Sequence, residues 1–102
     1  MLIVLADARF DPAQTAEIVA VARPMIEASR AEPGCAGYDY AFDMLEPGLM
    51  RVREWWRDER ALKDHFATPH MVAFLKGLRA LKPASVTIKC HELGTERPMP
   101  SA

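Results

Sequence analysis

Residues 35–57 read CAGYDYAFDMLEPGLMRVREWWR, and this stretch decides the fold. Its two halves, Cys35 to Phe42 and Leu49 to Arg57, are rich in aromatic and branched residues, which favours β-strands. The segment between them contains Asp43, Pro47 and Gly48, which are typical of a turn. The stretch therefore predicts a β-hairpin.

A strand and a helix are predicted before the hairpin. Leu2 to Phe10 is apolar enough for a strand, and Asp11 followed by Pro12 is typical of a helix N-cap and first helical residue. The helical period continues until residues 32–34, where Pro and Gly end it. Pro24 lies inside this helix and cannot donate a backbone hydrogen bond, which predicts a kink.

Two short helices and one more strand are predicted after the hairpin. Asp58 is positioned to cap a helix that contains His65, and Thr68-Pro69 to cap a second helix that ends at Pro83. Ala84 to Glu92 then alternates apolar and polar residues, as a strand does. The order strand, helix, strand, strand, helix pair, strand is the split βαβ order of an α+β, ferredoxin-like antiparallel sheet with helices on one face.

The sheet face opposite the helices carries a mixed set of side chains. Its members combine bulky apolar groups with charges, which is too apolar for plain solvent exposure and too charged for the core of a monomer. We therefore predict a face-to-face homodimer across this surface. The predicted members are Ile3, Leu5, Asp39, Leu49, Arg51, Arg53, Trp55 and Lys89.

Size and composition limit the function classes. The chain has 102 residues, of which 50% are hydrophobic, and a net charge of −1. These values predict one domain, residues 1–94, followed by a flexible or partner-wrapping tail at 95–102, and no excess of positive charge for nucleic acid. The apolar N-terminus is too short for a signal peptide or membrane span, so we predict a soluble, cytoplasmic protein that does not bind membranes.

Cys35 and Cys90 fall on opposite edge strands, which excludes a disulfide between them.

One carboxylate is predicted on the apolar face of the hairpin. Period-two alternation places Met50, Val52, Glu54 and Trp56 on one side of their strand. A buried Glu54 would bind its proton more tightly, which makes it a candidate base. The structural alternative is a Glu54 neutralised by an arginine or by a backbone amide.

Two histidines stand close together in DHFATPHM, residues 64–71. Their spacing differs from the i, i+4 spacing of zinc-binding helices, Pro69 separates them into two helices, and no third ligand is evident, so we predict no metal site. His65 is predicted to face a cavity between helices and sheet, as a catalytic or a core residue. His70 is predicted to cap or pack at the turn, and the two histidines are predicted not to act together.

Aromatic residues also alternate on the hairpin. Tyr38, Tyr40 and Phe42 share one face, which indicates core packing, and the tyrosine hydroxyls offer hydrogen bonds to a flat aromatic ligand. A Gly-rich phosphate loop and a GxSxG motif are both missing from the sequence, so a nucleotide, flavin or serine-hydrolase function has no support.

Three segments together carry a family resemblance. EPGCAGY at 32–38, EWW at 54–56 and ALKDHFATPHM at 61–71 resemble the antibiotic biosynthesis monooxygenase family, especially its quinol monooxygenase members, over Leu2 to Leu93. The resemblance implies a dimeric α+β barrel. It also implies oxygenation of phenols, anthrones or hydroquinones without metal, flavin or haem, because the substrate anion itself supplies electrons to dioxygen.

Two other branches of the family are less favoured. Its haem-degrading members use an asparagine, a tryptophan and a haem-ligating histidine where this chain has Ala8, His65 and Leu75, so haem is disfavoured. An isomerase branch needs cations for a phosphate, but Arg51 and Arg53 are predicted on the face away from the cavity.

The sequence therefore predicts a cofactor-independent monooxygenase that oxidises a hydroquinone or polycyclic phenol. The alternatives are an isomerase of a small phosphorylated ketone in the same pocket and a non-catalytic dimeric binding module. The catalytic candidates are His65, oriented by Glu54, and Glu54 itself. The candidates that bind the small aromatic substrate are Tyr38, Tyr40, Trp56, His70 and Phe74.

Overall fold

The computed structural model of the chain describes residues 1–101, and it confirms the predicted order of elements. A four-stranded antiparallel sheet has the strand order β2-β3-β1-β4, with helices packed on one face. The elements are β1 Leu2–Arg9, a 3₁₀ helix Pro12–Gln14, α1 Thr15–Arg30, β2 Cys35–Phe42, β3 Leu49–Trp56, α2 Glu59–Phe66, α3 Pro69–Ala80 and β4 Ser85–Glu92.

The starts of α2 and α3 form as the sequence indicates, whereas Asp11 caps the 3₁₀ helix that precedes α1. Asp58 Oδ1 accepts a hydrogen bond from the Ala61 amide at 2.8 Å, and Thr68 Oγ1 accepts one from the Met71 amide at 3.3 Å. Each bond satisfies an amide that the first helical turn leaves without a partner. The helix α1 continues through Pro24 from residue 15 to residue 30.

The inner face of the sheet carries the core. Val4, Tyr38 and Trp56 pack there against Met25 of α1 and Phe74 of α3, and all five are buried. The strand register places Glu54 between Val4 on one side and Tyr38 on the other, as predicted from the alternation of β3. A carboxylate therefore lies in the middle of the apolar face.

The outer face is charged and partly apolar. Arg51 pairs with Asp7 at 3.2 Å, and the Arg53 guanidinium lies 4.7 Å from the centre of the Trp55 ring. Leu5 is 44% exposed in the middle of this face. Leu49, also predicted here, is instead buried in this protomer at 2% exposure.

The backbone of Leu49 also takes part in the hairpin turn. Its carbonyl accepts a bond from the Asp43 amide at 3.0 Å, and its amide donates to the Glu46 carbonyl at 3.3 Å. These two bonds close the turn at the start of β3, where Leu49 is buried within the chain itself. The prediction that Leu49 belongs to the surface shared with a partner is therefore wrong.

The connection between α1 and β2 lies tightly against α2. A Cβ placed on Gly34 would overlap the Cβ of Ala61, and the Gly34 carbonyl accepts a bond from the Arg57 amide at 2.8 Å. The missing side chain at Gly34 thus allows α2 to approach this connection. This approach brings His65, on α2, next to Glu32.

The helices leave β4 and the tail uncovered. Val86 and Ile88 point to the helix side of the sheet but are 43% and 67% exposed. Residues 93–101 form no helix or strand and are exposed; Ala102, the end of the predicted tail, lies outside the described residues.

Cys35 and Cys90 lie on opposite edge strands and are both free thiols, as predicted. Within residues 1–101, none of the helices has the length and apolar character needed to cross a membrane.

Candidate active site

A cavity of about 140 Å³ lies between the inner face of the sheet and the helices α2 and α3. Apolar side chains from β1, β3, β4 and all three α-helices form most of its wall. Its polar lining consists of Tyr38, Tyr40, Glu54 and His65. The lining within the described residues includes no lysine or arginine.

The structure brings most of the predicted site residues together. His65, Glu54, Tyr38, Tyr40 and Phe74 all line this cavity. Trp56 lies behind them with no exposed surface, and His70 lies outside the lining. The cavity therefore combines an imidazole, a carboxyl group and two hydroxyls with an apolar wall.

Glu54 is buried and hydrogen-bonded within its own strand. Its Oε1 accepts a bond from the indole Nε1 of Trp56 at 2.9 Å, so the partner is neither the arginine nor the backbone amide of the structural alternative. Burial raises the pKa of Glu54 above its ordinary value, and the charge of Glu32 adds to this, while the Trp56 bond opposes it. The fold therefore disfavours the charged form of Glu54.

The two tyrosines of β2 form a hydroxyl pair. Tyr38 Oη and Tyr40 Oη are 2.9 Å apart, and their ring centres are 5.3 Å apart. Burial raises the pKa of both hydroxyls well above the ordinary value, so both stay protonated near neutral pH. One hydroxyl donates to the other, and the second can donate its own hydrogen to a ligand in the cavity.

Both histidines of DHFATPHM bind one carboxylate. Glu32 Oε2 lies 2.7 Å from His65 Nδ1 and 2.9 Å from His70 Nε2. The two histidines, predicted to be separate, thus share one hydrogen-bond partner, and the carboxylate bound to His65 is Glu32 and not the predicted Glu54. His70 does not cap the turn either, because Thr68 does this.

Glu32 is the residue that the sequence analysis missed. It lies in the connection between α1 and β2, 33 positions before His65 and 38 before His70. Its only sequence signal is its place in EPGC, the stretch that follows α1, and this place does not show where its side chain points. The structure alone brings the three side chains together.

His65 is held in its neutral form. Burial lowers the pKa of its imidazole, the charge of His70 lowers it further, and Glu32 opposes both effects. A carboxylate only accepts hydrogen bonds, so the Nδ1 of His65 carries the proton that faces Glu32. The Nε2 of this tautomer is unprotonated and can accept a proton. The ring lines the cavity and is packed against Trp56 with 4.5 Å between centres.

A second concavity is larger but contains fewer groups whose pKa is shifted. A groove of about 280 Å³ runs between α1 and β2, and its charged lining consists of Arg23, Glu27 and Arg30. Of the groups with a shifted pKa, it contains only Tyr40, which it shares with the cavity. Shifted groups concentrate at functional sites, so the cavity between sheet and helices is the candidate active site.

Known proteins match this chain over most of its length. The family model described as antibiotic biosynthesis monooxygenase matches residues 1–77. An uncharacterized protein of Synechocystis sp. is 34% identical over 85% of this chain, which spans only 60% of that protein. A Bacillus subtilis protein named as a putative monooxygenase is 30% identical over 91% of this chain and 98% of its own length.

Solved structures share the fold. A Pseudomonas aeruginosa protein superposes with a TM-score of 0.82 at 31% identity, covering 92% of this chain and 94% of that one. A Deinococcus radiodurans protein described as a putative antibiotic biosynthesis monooxygenase superposes with a TM-score of 0.90 at 23% identity, covering 99% of this chain and 100% of that one. The second likeness concerns the fold alone.

The buried Glu54 gives a prediction about stability. The pKa of Glu54 is raised in the folded state above its ordinary value of 4.5. Ionisation of Glu54 above pH 4.5 therefore lowers the free energy of unfolding, and this loss disappears below that pH. We expect Glu54→Gln, which keeps an oxygen for the Trp56 indole, to raise the free energy of unfolding near neutral pH. Urea unfolding at several pH values measures the effect.

The control for this experiment is Glu96→Gln in the exposed tail, which we expect to change nothing. The gain from Glu54→Gln should shrink as the pH falls towards 4.5. A variant that is less stable than the wild type near neutral pH would show that the charged form of Glu54 is favoured by the fold.

Proposed function

The chain belongs to the antibiotic biosynthesis monooxygenase family, and we propose that it oxidises a hydroquinone or related phenol with dioxygen, without haem, flavin or metal. One observation carries this proposal. A neutral His65, fixed through Nδ1 by Glu32, lines an apolar cavity that also holds protonated tyrosine hydroxyls. A phenol that enters this cavity meets a base, hydrogen-bond donors and little water.

The first step is removal of a phenolic proton. His65 Nε2 accepts the proton, and the Nδ1–H bond to Glu32 stabilises the imidazolium that forms. The free hydrogen of the Tyr38–Tyr40 pair donates to the phenolate oxygen. The protein thus converts the substrate into an electron-rich anion inside the cavity.

The second step is oxidation of this anion by dioxygen. A ring C–O bond forms as the phenolate supplies two electrons to dioxygen, and His65 returns its proton to the resulting peroxide. The O–O bond then breaks, the ring C–H proton and the distal OH leave as water, and the ring carbon becomes a carbonyl. A hydroquinone and dioxygen thus give a hydroxyquinone and water, with all electrons taken from the substrate.

The size of the cavity favours a small substrate. An apolar cavity of about 150 Å³ holds one benzene-sized molecule, and this cavity measures about 140 Å³. A single-ring hydroquinone matches this volume, whereas a polycyclic phenol must extend past the exposed Val86 and Ile88 towards solvent. We therefore propose single-ring hydroquinones as the preferred substrates among the phenols considered.

The alternatives have less support from the site. Isomerisation of a phosphorylated ketone needs a cation for the phosphate, and the lining described above has none. A binding module without turnover does not need the tautomer of His65 to be fixed. The paired Glu32 and His65 beside the cavity favour proton transfer, and the family favours oxygen chemistry.

We expect oxygen uptake with a single-ring hydroquinone, above the rate of autoxidation and with a chelator present. His65→Gln removes the base and should lower kcat by at least about 100-fold, as loss of a general base commonly does. The pKa of His65 is lowered from the ordinary histidine pKa of 6.5, and only neutral His65 accepts a proton. The wild-type rate should therefore fall when the pH is lowered below 6.5. Oxygen-electrode measurements across pH test both statements.

Two further variants sharpen this test. Glu32→Gln should lower kcat more than it changes KM, and should move the acid limb to lower pH, because Glu32 raises the pKa of His65. His91→Gln, an exposed histidine on β4, should behave as the wild type. Turnover without oxygen would favour the isomerase, and unchanged uptake in His65→Gln would refute the proposed base.

We also propose that the outer sheet face binds a second copy of the chain. The ion pairs of Arg51 with Asp7 and of Arg53 with Asp39, at 3.2 and 3.1 Å, already neutralise many charges there. Leu5 remains 44% exposed at the centre of the face. A surface of neutralised charges around apolar groups can pack against its own copy.

Sedimentation should show a dimer at micromolar concentration for the wild type. Leu5→Lys places a charge beside Arg53 and Lys89, the register neighbours of Leu5, and should give a monomer. Val72→Lys, at a 64% exposed site on α3, should leave the dimer intact. A wild type that sediments as a monomer would exclude this interface.

A further inference from the structure

Three ligand atoms converge outside the cavity wall. His65 Nδ1, His70 Nε2 and a Glu32 carboxylate oxygen all lie within 4.8 Å of one another. The two distances to Glu32 are 2.7 and 2.9 Å. With metal–ligand bonds of about 2.0 to 2.2 Å, donor atoms around one ion lie roughly 3 to 3.5 Å apart. Small movements of these side chains would therefore make room for an ion.

The chemistry of the three donors selects a class of ion. Two imidazoles and one carboxylate suit divalent transition metals such as Zn²⁺ and Co²⁺, whereas Mg²⁺ and Ca²⁺ prefer oxygen donors alone. The site also has a route to solvent, because the His70 side chain is 20% exposed and that of Glu32 14%, while that of His65 is 1% exposed. An ion can thus approach from the side of His70 and keep water in its remaining positions.

We propose that Glu32, His65 and His70 form a binding site for one divalent transition metal ion, and that the bound ion blocks the base function of His65. The second half rests on the proposed function. A metal at Nδ1 needs the lone pair at the nitrogen that otherwise carries the proton, so the proton of the neutral ring moves to Nε2. Nε2 then donates into the cavity and no longer accepts a proton from a phenol.

The proposed site differs from the expectation, based on the spacing of the histidines, that no metal binds here. Pro69 does place them on separate helices, but both rings reach the same carboxylate. The missing third ligand is Glu32, from a connection far away in the sequence. The donor set is therefore built from three segments of the fold and not from one helix.

Isothermal titration of the chelator-treated protein with Zn²⁺ tests the binding. We expect one ion per chain, and a visible absorption spectrum of nitrogen-coordinated Co²⁺ when Co²⁺ replaces Zn²⁺. His70→Gln, at a partly exposed position, should weaken Zn²⁺ binding by at least about tenfold. His91→Gln should bind as the wild type does. Binding of less than one ion per chain, or unchanged affinity in His70→Gln, would overturn the site.

A measurement on the wild type avoids any dependence on the folding of variants. Nitrogen NMR of the histidine rings should show Zn²⁺-dependent shifts at His65 Nδ1 and His70 Nε2, with His91 unchanged. Shifts confined to His91 would overturn the assignment. The melting temperature should rise with Zn²⁺ concentration, because an ion that binds only the folded chain stabilises it.

The effect on His65 is tested separately. If hydroquinone oxidation is observed, saturating Zn²⁺ should suppress it and a chelator should restore it, in the wild type and in His91→Gln alike. Oxidation that continues with Zn²⁺ bound would refute the block of the base. The titration and the NMR measure binding without turnover, so failure of the proposed oxidation leaves their result intact.

Discussion

One carboxylate that accepts hydrogen bonds from two imidazoles holds the candidate active site together. Glu32 joins the connection after α1 to His65 at the end of α2 and to His70 at the start of α3, over 2.7 and 2.9 Å. Each of these segments has its own local reason to form, namely the turn at Pro33-Gly34, which follows the end of α1 at Arg30, and the caps Asp58 and Thr68. Their relative position depends on Glu32 and on the close contact of Gly34 with Ala61.

The rest of the site follows from placing polar groups in a small apolar space. Glu54 sits in the middle of the inner sheet face with only the Trp56 indole as a side-chain hydrogen-bond partner among the described residues, so its charged form is disfavoured. Burial acts on the tyrosines and His65 in the same sense, since it favours their neutral forms. The cavity is thus lined by neutral or weakly acidic groups, which suits a phenol better than a phosphate.

Features that depend on local sequence patterns are predicted correctly, whereas contacts between residues far apart in the sequence are not. The hairpin, the caps and the side of β3 that carries Glu54 all follow from periods and turn residues, so they agree with the structure. The partners of His65 and Glu54 depend on how separate elements pack, so Glu32 and Trp56 were not identified. Leu49 shows a third limit, because strand alternation gives the face of a residue but not how far that residue is buried.

The central claim is that burial keeps His65 neutral and that Glu32 fixes its proton on Nδ1, which leaves Nε2 free to accept a proton. Nitrogen NMR of metal-free protein, with ring signals assigned to His65, tests this claim directly at about pH 7.5, where a free histidine is mostly neutral. The account predicts a protonated Nδ1 and an unprotonated Nε2, a preference that weakens in Glu32→Gln. A proton on Nε2, or a charged imidazole at that pH, would contradict it.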